Sequence, residues 1–318
     1  MDTPPRNRWA TEIRKSPAAA DLPSGSVSSV GLRPSGAWTR RNPLTEILLP
    51  SLFAKREGRS LRPDWPQLGT DEIAVTWIGH ASFLVQAAGL NILIDPVWGK
   101  WVKGIKRIRM PGVELNALPE IDLVLVTHAH FDHLDRRTLR FVAANQPVVV
   151  PFEVGNLVHD LGFQVVQELH YWESFEFGPL RVTLTPCRHW GARMLHDSHR
   201  GFGGFILQFG DRCIYHCGDT AYFDGFHEIG RRFPIDVALL PIGAYDPPSL
   251  RPVHMNPEEA LDALLDLDAK QMVPMHYGTF RLSYEPLDEP PRRLLTAAAQ
   301  RGLTDRVVWM EEGAPRVF

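Results

Sequence analysis

"THAHFDHLD", residues 127–135, places three histidines and two aspartates in nine positions directly after the apolar run "IDLVLV" (121–126). A continuous apolar stretch of that length reads as a strand buried on both faces. On the extended segment that leaves it, His128 and His130 are alternate residues, so they share a face and can grip one ion together. The turn that follows can aim Asp132 and His133 at a second ion. Imidazole and carboxylate without thiolate are donors that suit zinc and accept iron or manganese. Asp135 then stands where a helix N-cap is wanted, with the helix expected to run to about Ala144.

One cluster cannot close two sites, so further ligands have to come from later strand ends. Three candidates stand there: His189 in "TPCRHW" (185–190), Asp219 in "HCGDT" (216–220) and His276 in "MHYGT" (275–279). "FGPLRVTLT" (177–185) alternates as a sheet strand does, "GGFILQFGDRCIYH" (203–216) reads as a hairpin turning at Gly210-Asp211, and "QMVPM" (271–275) is a short strand. Upstream, "IAVTWIGHASFLVQAAGLNILIDP" (73–96) reads as successive strands bounded by Gly and Pro. "NPEEALDALLDL" (256–267) opens a helix, with Asn256 as N-cap, Pro257 at N1 and Glu259 at N3.

The wider chain frames this cluster. At 318 residues and 44% hydrophobic, it can bury one large core or two modest ones and is not of disordered type. Its net charge of -3 gives no general reason to expect nucleic acid. The charge is uneven: residues 1–70 hold eleven Lys/Arg against six Asp/Glu, net +5, which leaves -8 for the rest. This Pro- and Arg-rich stretch reads as an arm, partly mobile, with Trp38, Leu48, Leu49 and Phe53 docking it on a folded domain at 71–318. Three cysteines without a CxxC pair fit a reducing compartment, so the cytoplasm is expected. There is no apolar signal segment, and no run approaches the roughly 20 apolar residues of a membrane span, so membrane contact is expected to be peripheral. No Gly-rich phosphate loop precedes a helix, so nucleotide binding has no support.

The intact "HAHFDH" motif, followed in order by His189, Asp219 and His276, resembles the metallo-beta-lactamase superfamily from about residue 71 to the end. The resemblance implies an α/β fold, a four-layer αββα sandwich of two mixed sheets flanked by helices, with a dinuclear site along one sheet edge. By that pattern His128, His130 and His189 hold one zinc, Asp132, His133 and His276 hold the second, and Asp219 bridges them. Asp132 and Asp219 would thereby hold a bridging hydroxide as the catalytic pair. "VTWIGHASFLV", "ILIDPVW", "CGDTAYF" and "VHMNPEEALDALLDLDAKQMVPMHYGTF" are similar to the N-acylphosphatidylethanolamine-hydrolysing phospholipases D and their bacterial relatives. That likeness implies a phosphodiester lipid as substrate, phosphatidic acid and an N-acylethanolamine as products, and a homodimer. Alternatives that keep the same residues are hydrolysis of a lactone or a soluble phosphate ester, or a metal-stabilised scaffold.

His80 and Asp95 match family positions near the site and are expected to orient metal-bound imidazoles, which need an acceptor behind them. His254, just before the Asn256 cap, is a candidate for facing the substrate. In "KWVKGIKRIRMPG" (100–112) no acid offsets the cations, and Lys103, Lys106, Arg107 and Arg109 are candidates for contact with lipid or phosphate. Interleaved Trp and Ile side chains make an anionic membrane surface a natural partner for this loop.

Overall fold

Short turns set the topology. The computed structural model describes residues 41–318 except 195 and 247–249, together with the backbone of a two-residue strand at Arg14–Lys15. Trp38 and the rest of the arm before residue 41, that strand apart, lie outside the described residues. A π-helical turn (Leu44–Leu48) leads into α1 (Leu49–Phe53). Strands β1 (Ile73–Gly79), β2 (Ser82–Ala87) and β3 (Leu90–Ile94) then form an antiparallel meander. The β2–β3 connection is two residues, Ala88 and Gly89, both at positive φ, the backbone that matches the twist of the strands it joins. A small hairpin of β4 (Trp101–Val102) and β5 (Ile105–Lys106) stands apart from both large sheets. β6 (Leu123–Leu125), β7 (Pro147–Pro151) and β8 (Val165–Leu169) add in parallel beyond β3, with α2 (Arg136–Val142) crossing between β6 and β7.

The second sheet repeats this plan. β9 (Ser174–Phe177), β10 (Leu180–Thr185), β11 (Gly204–Phe209) and β12 (Arg212–His216) are antiparallel, and the β11–β12 hairpin turns at Gly210-Asp211 as expected. After α3 (Gly225–Arg232), β13 (Val237–Pro241) joins β12 in parallel. After α4 (Pro257–Asp266), β14 (Gln271–Met275) does the same beside β13. α5 (Glu289–Gln300) packs on α4, and β15 (Pro315–Val317) returns to the free edge of β1.

Alternation along the strands assigns the faces. Leu123 and Leu125 point into the core shared with Val182, Leu184, Phe205 and Leu207 of the other sheet, while Val124 and Val126 lie beneath α2 with Leu139. The continuous apolar run is therefore a strand covered on both faces, and the molecule is the expected sandwich of two mixed sheets with helices outside. α2 begins where Asp135 accepts from the Arg137 amide, and it ends at Val142. α4 begins with a full capping box in which Asn256 and Glu259 exchange side-chain and backbone bonds.

The segment Leu44–Phe53 departs from expectation. Of α1 only Ser51 is buried, while Leu49, Leu52 and Phe53 are exposed. The helix is held by polar bonds: the Lys106 amide donates to Ser51 Oγ (2.9 Å), and Lys106 Nζ donates to the carbonyls of Leu52 (3.1 Å) and Ala54 (2.6 Å). Apolar side chains do not dock it.

Candidate metal centre

The strand order brings the C-terminal ends of β1, β3, β6, β10, β12 and β14 to one edge of the sandwich, and the seven candidate ligands sit past β6, β10, β12 and β14. The two sheets are stitched there by backbone bonds from Gly203 N to Thr127 O and from His276 N to His80 O. Gly218 takes φ 64°, and a Cβ at that position would lie 2.8 Å from the Gly203 carbonyl, so the turn that presents Asp219 requires glycine. His216, buried at the end of β12, braces the same turn by accepting from Gly218 N (3.2 Å) and donating to the Ala81 carbonyl (2.9 Å). His80, Asp95 and His276 all take positive φ, at 58°, 44° and 60°. For non-glycine residues that backbone costs on the order of 1–3 kcal/mol each and persists where the surrounding structure imposes it.

All seven sequence-selected ligands converge. His128 Nε2 lies 2.9 Å from His130 Nδ1, and His189 Nε2 lies 3.2 Å from the same atom. Asp219 Oδ2 stands between two groups: 4.0 Å from both His128 Nε2 and His189 Nε2, 3.2 Å from His133 Nε2 and 3.0 Å from His276 Nε2. Asp132 Oδ2 is 3.7 Å from His276 Nε2, 3.8 Å from His133 Nε2, and accepts from His80 Nε2 at 3.0 Å. His128, His130 and His189 thus form one possible cage, and His80, Asp132, His133 and His276 a second.

The electrostatics call for a cation. Burial, aided by neighbouring imidazoles, pushes His130 down to about 3 and His189 to about 4, with His128 also held well below the usual range. These three rings are neutral and offer lone pairs. Burial would raise the carboxyls of Asp132 and Asp219, yet His133, with His276, holds both well below the usual range. Conversely, against the lowering effect of burial, Asp219 leads in raising His133, and in raising His276 to about 9. Two buried carboxylates thus recruit protons onto two imidazoles. Meanwhile His130 Nε2, His133 Nε2, His276 Nε2 and Asp219 Oδ1 are buried without hydrogen-bond partners. Convergent imidazole and carboxylate donors, buried carboxylates that draw positive charge to the site and no thiolate fit a divalent metal.

The residues behind the cluster fix its ring orientations. Asp95, fully buried, accepts from Thr127 N (2.7 Å), Thr127 Oγ1 (2.6 Å) and His133 Nδ1 (2.7 Å). Because the Thr127 hydroxyl gives its proton to Asp95, its oxygen can accept from His128 Nδ1 at 3.0 Å. One carboxylate therefore sets the tautomer of two rings, as its sequence position suggested. His189 Nδ1 donates to the Val253 carbonyl (3.0 Å). His80 donates to Asp132 rather than standing behind an imidazole. His254 lies with His189 and Asp219, its ring 5.1 Å from His189 and 5.5 Å from His276, and its buried Nδ1 has no partner.

The basic loop requires correction. Arg107 is fully buried, and its guanidinium donates to the carbonyls of Val97 (2.7 Å), Gly99 (3.1 Å) and Arg109 (3.5 Å). It cannot contact lipid. An irregular loop leaves carbonyls without a ladder, and a five-donor fork can satisfy several of them at once. Lys106 is committed to α1, and Arg109 pairs with Glu312 at 3.0 Å. Lys103, at the hairpin tip, is exposed.

Arg193 is a site residue with no signal in the sequence. From the loop after β10 its Nη1 donates to the carbonyls of Ala129 (2.7 Å) and Leu134 (2.9 Å), and its guanidinium stacks 3.8 Å from the Phe131 ring. It spans both ends of the ligand-bearing loop. Lys103 Nζ covers the same ring at 4.3 Å.

Comparison with known proteins agrees with this geometry. A family described as "Beta-lactamase superfamily domain" matches residues 90–277, and the chain belongs to that superfamily. The chain is 37% identical over 245 residues to an uncharacterised protein of Mycobacterium tuberculosis, which covers 73% of this chain and 66% of the relative. It is 33% identical over 291 residues to the mitochondrial N-acyl-phosphatidylethanolamine-hydrolyzing phospholipase D of Saccharomyces cerevisiae, covering 86% of this chain and 60% of the yeast protein. Among solved structures, a metallo hydrolase from Ignicoccus hospitalis superposes with TM-score 0.62 at 27% identity, over 78% of this chain and 98% of that one. The chain thus spans about two thirds or less of the length of these curated relatives.

Proposed function

We propose that this chain is a dinuclear zinc phosphodiesterase of phospholipase D type that cleaves N-acylphosphatidylethanolamine to phosphatidic acid and an N-acylethanolamine. The observation that carries the reading is the place of Asp219 Oδ2, shared between two histidine groups, in a chain similar to a phospholipase D of that specificity. His128, His130 and His189 would hold one zinc and Asp132, His133 and His276 the other, with Asp219 common to both. When bound, a zinc pair supplies a Lewis acid for a phosphoryl oxygen and lowers the pKa of water to about 7.

The chain's own residues then have defined tasks. Asp95 keeps His133 and His128 in the tautomers that turn Nε2 inward. His80 keeps one Asp132 oxygen oriented. His254, beside His189 and Asp219 with a free Nδ1, is placed to hydrogen-bond an incoming phosphodiester.

The test is mass spectrometry of products from zinc-loaded protein and N-acylphosphatidylethanolamine in mixed micelles, beside Asp219→Asn and a panel of lactones and soluble phosphodiesters. Phosphatidic acid and N-acylethanolamine from the unaltered chain alone are expected. Turnover of a panel member without lipid cleavage would remove the lipid from the reading, and full activity in Asp219→Asn would remove its central residue.

A further inference from the structure

α1 faces the wrong way for a helix whose task is packing. Leu44 (54%), Leu49 (39%), Leu52 (43%) and Phe53 (83%) stay exposed while the polar Ser51 is buried. The bonds that hold the helix run to Lys106 on β5. Across the hairpin from Lys106 stands Trp101, 48% exposed, with the Arg56 guanidinium 5.8 Å from its ring. The five apolar side chains therefore lie on neighbouring elements joined through one lysine.

Around them the exposed cations are Lys55, Arg56, Lys100 and Lys103. The nearby acids are Glu46, paired with Arg41, and Glu57. The hairpin tip reaches the metal centre. Lys103 Nζ bonds the Arg193 carbonyl (3.3 Å) and covers Phe131, the residue between His130 and Asp132.

We propose that α1 and the β4–β5 hairpin form a docking surface for an anionic phospholipid bilayer, set beside the mouth of the metal centre. Apolar side chains that protrude singly, an interfacial tryptophan and a cationic margin complement a surface with acyl chains beneath anionic headgroups. The purpose of the surface rests on the phospholipid reading above; its physical test does not. The sequence pointed to Lys103, Lys106, Arg107 and Arg109 for this contact. The structure buries Arg107, commits Lys106 to α1 and Arg109 to Glu312, and leaves α1, Trp101, Lys100 and Lys103 exposed.

The experiment is co-sedimentation of the full zinc-loaded chain with vesicles of phosphatidylcholine alone, or of phosphatidylcholine mixed with phosphatidylglycerol. The phosphatidylglycerol vesicles should bind the chain, and added salt should weaken the binding. Leu52→Ser with Phe53→Ser should weaken binding by about ten-fold or more, the loss of one to two apolar anchors, with melting temperature and metal content unchanged. Phe53→Trp should keep it. Failure of the unaltered chain to sediment with phosphatidylglycerol vesicles, or undiminished binding by the double variant, overturns the proposal. So does a doubled mass by light scattering that the double variant abolishes, which would make the face a contact between copies. Vesicle binding without lipid cleavage upholds the docking surface while removing the lipid substrate. Cleavage in micelles without vesicle binding does the reverse.

Discussion

Asp95→Asn tests the logic of the site most directly, because it changes a charge and almost no shape. The residue sits at φ 44°, a backbone that asparagine tolerates, so the substitution adds little strain. Oδ1 of Asp95 accepts one donor, Thr127 N, and Oδ2 accepts two, Thr127 Oγ1 and His133 Nδ1. An amide can put its oxygen at only one of these positions, and its NH2 then confronts donors at the other. With the amide oxygen kept on Thr127 N, two charge-assisted bonds are lost, at about 1.5–3 kcal/mol each. The Thr127 hydroxyl can turn to accept from the new amide, but its proton then has no carboxylate to hold it and no longer fixes His128 Nδ1 as the donor. We therefore expect roughly 3–5 kcal/mol of destabilisation, the range for breaking a buried polar network. Zinc affinity should fall about 10–100-fold, because the rings of His133 and His128 lose their orientation. Urea denaturation of the metal-free protein and zinc competition against a chromogenic chelator measure the two effects separately. A variant that bound zinc as tightly as the unaltered chain would refute the claim that Asp95 sets those tautomers.

Removing metal should destabilise the fold as a whole. Zinc at a thousand times its dissociation constant contributes about 4 kcal/mol by mass action, so chelation should lower the melting temperature and added zinc should restore it. Arg193→Met removes two bonds to the ligand-bearing loop and the stack on Phe131. It should cost about 2–4 kcal/mol and lower zinc affinity about ten-fold, read by the same competition assay. Unchanged affinity would make Arg193 an ordinary loop contact. Asn256→Ala breaks the α4 capping box and should cost about 1 kcal/mol in urea unfolding, with Asn256→Asp nearly neutral.

The parts of this fold that were legible before any coordinates share one property: their cause is local. "HAHFDH" shows its chemistry because its ligands come from one loop, and "IDLVLV" shows its burial because both faces of a strand are written in consecutive residues. Asp135 and Asn256 cap their helices through bonds that span two or three positions. Asp95 could be suspected of orienting an imidazole only through the resemblance, because it matches a family position near the site.

Residues in irregular backbone resisted such reading. Five cations in an acid-free loop read as a basic surface, yet Arg107 is among the largest fully buried side chains because it answers carbonyls that no ladder pairs. The short apolar run Leu44–Phe53 suggested docking, but polar bonds from Lys106 hold the helix while Leu44, Leu49, Leu52 and Phe53 stay exposed.

By itself the sequence determined the individual strands, the helix caps and the metal-binding character of one dense loop, and through its resemblance to a superfamily the class of fold, because strand periodicity, caps and a compact motif need only neighbours in the chain. The tertiary structure alone decided that Arg193 braces the loop bearing four of the candidate ligands, how far Asp219 stands from each histidine, and which cations reach solvent. Those facts depend on where strand ends and irregular loops meet across some sixty to ninety residues of chain, and no local pattern encodes the direction of a side chain at such a meeting.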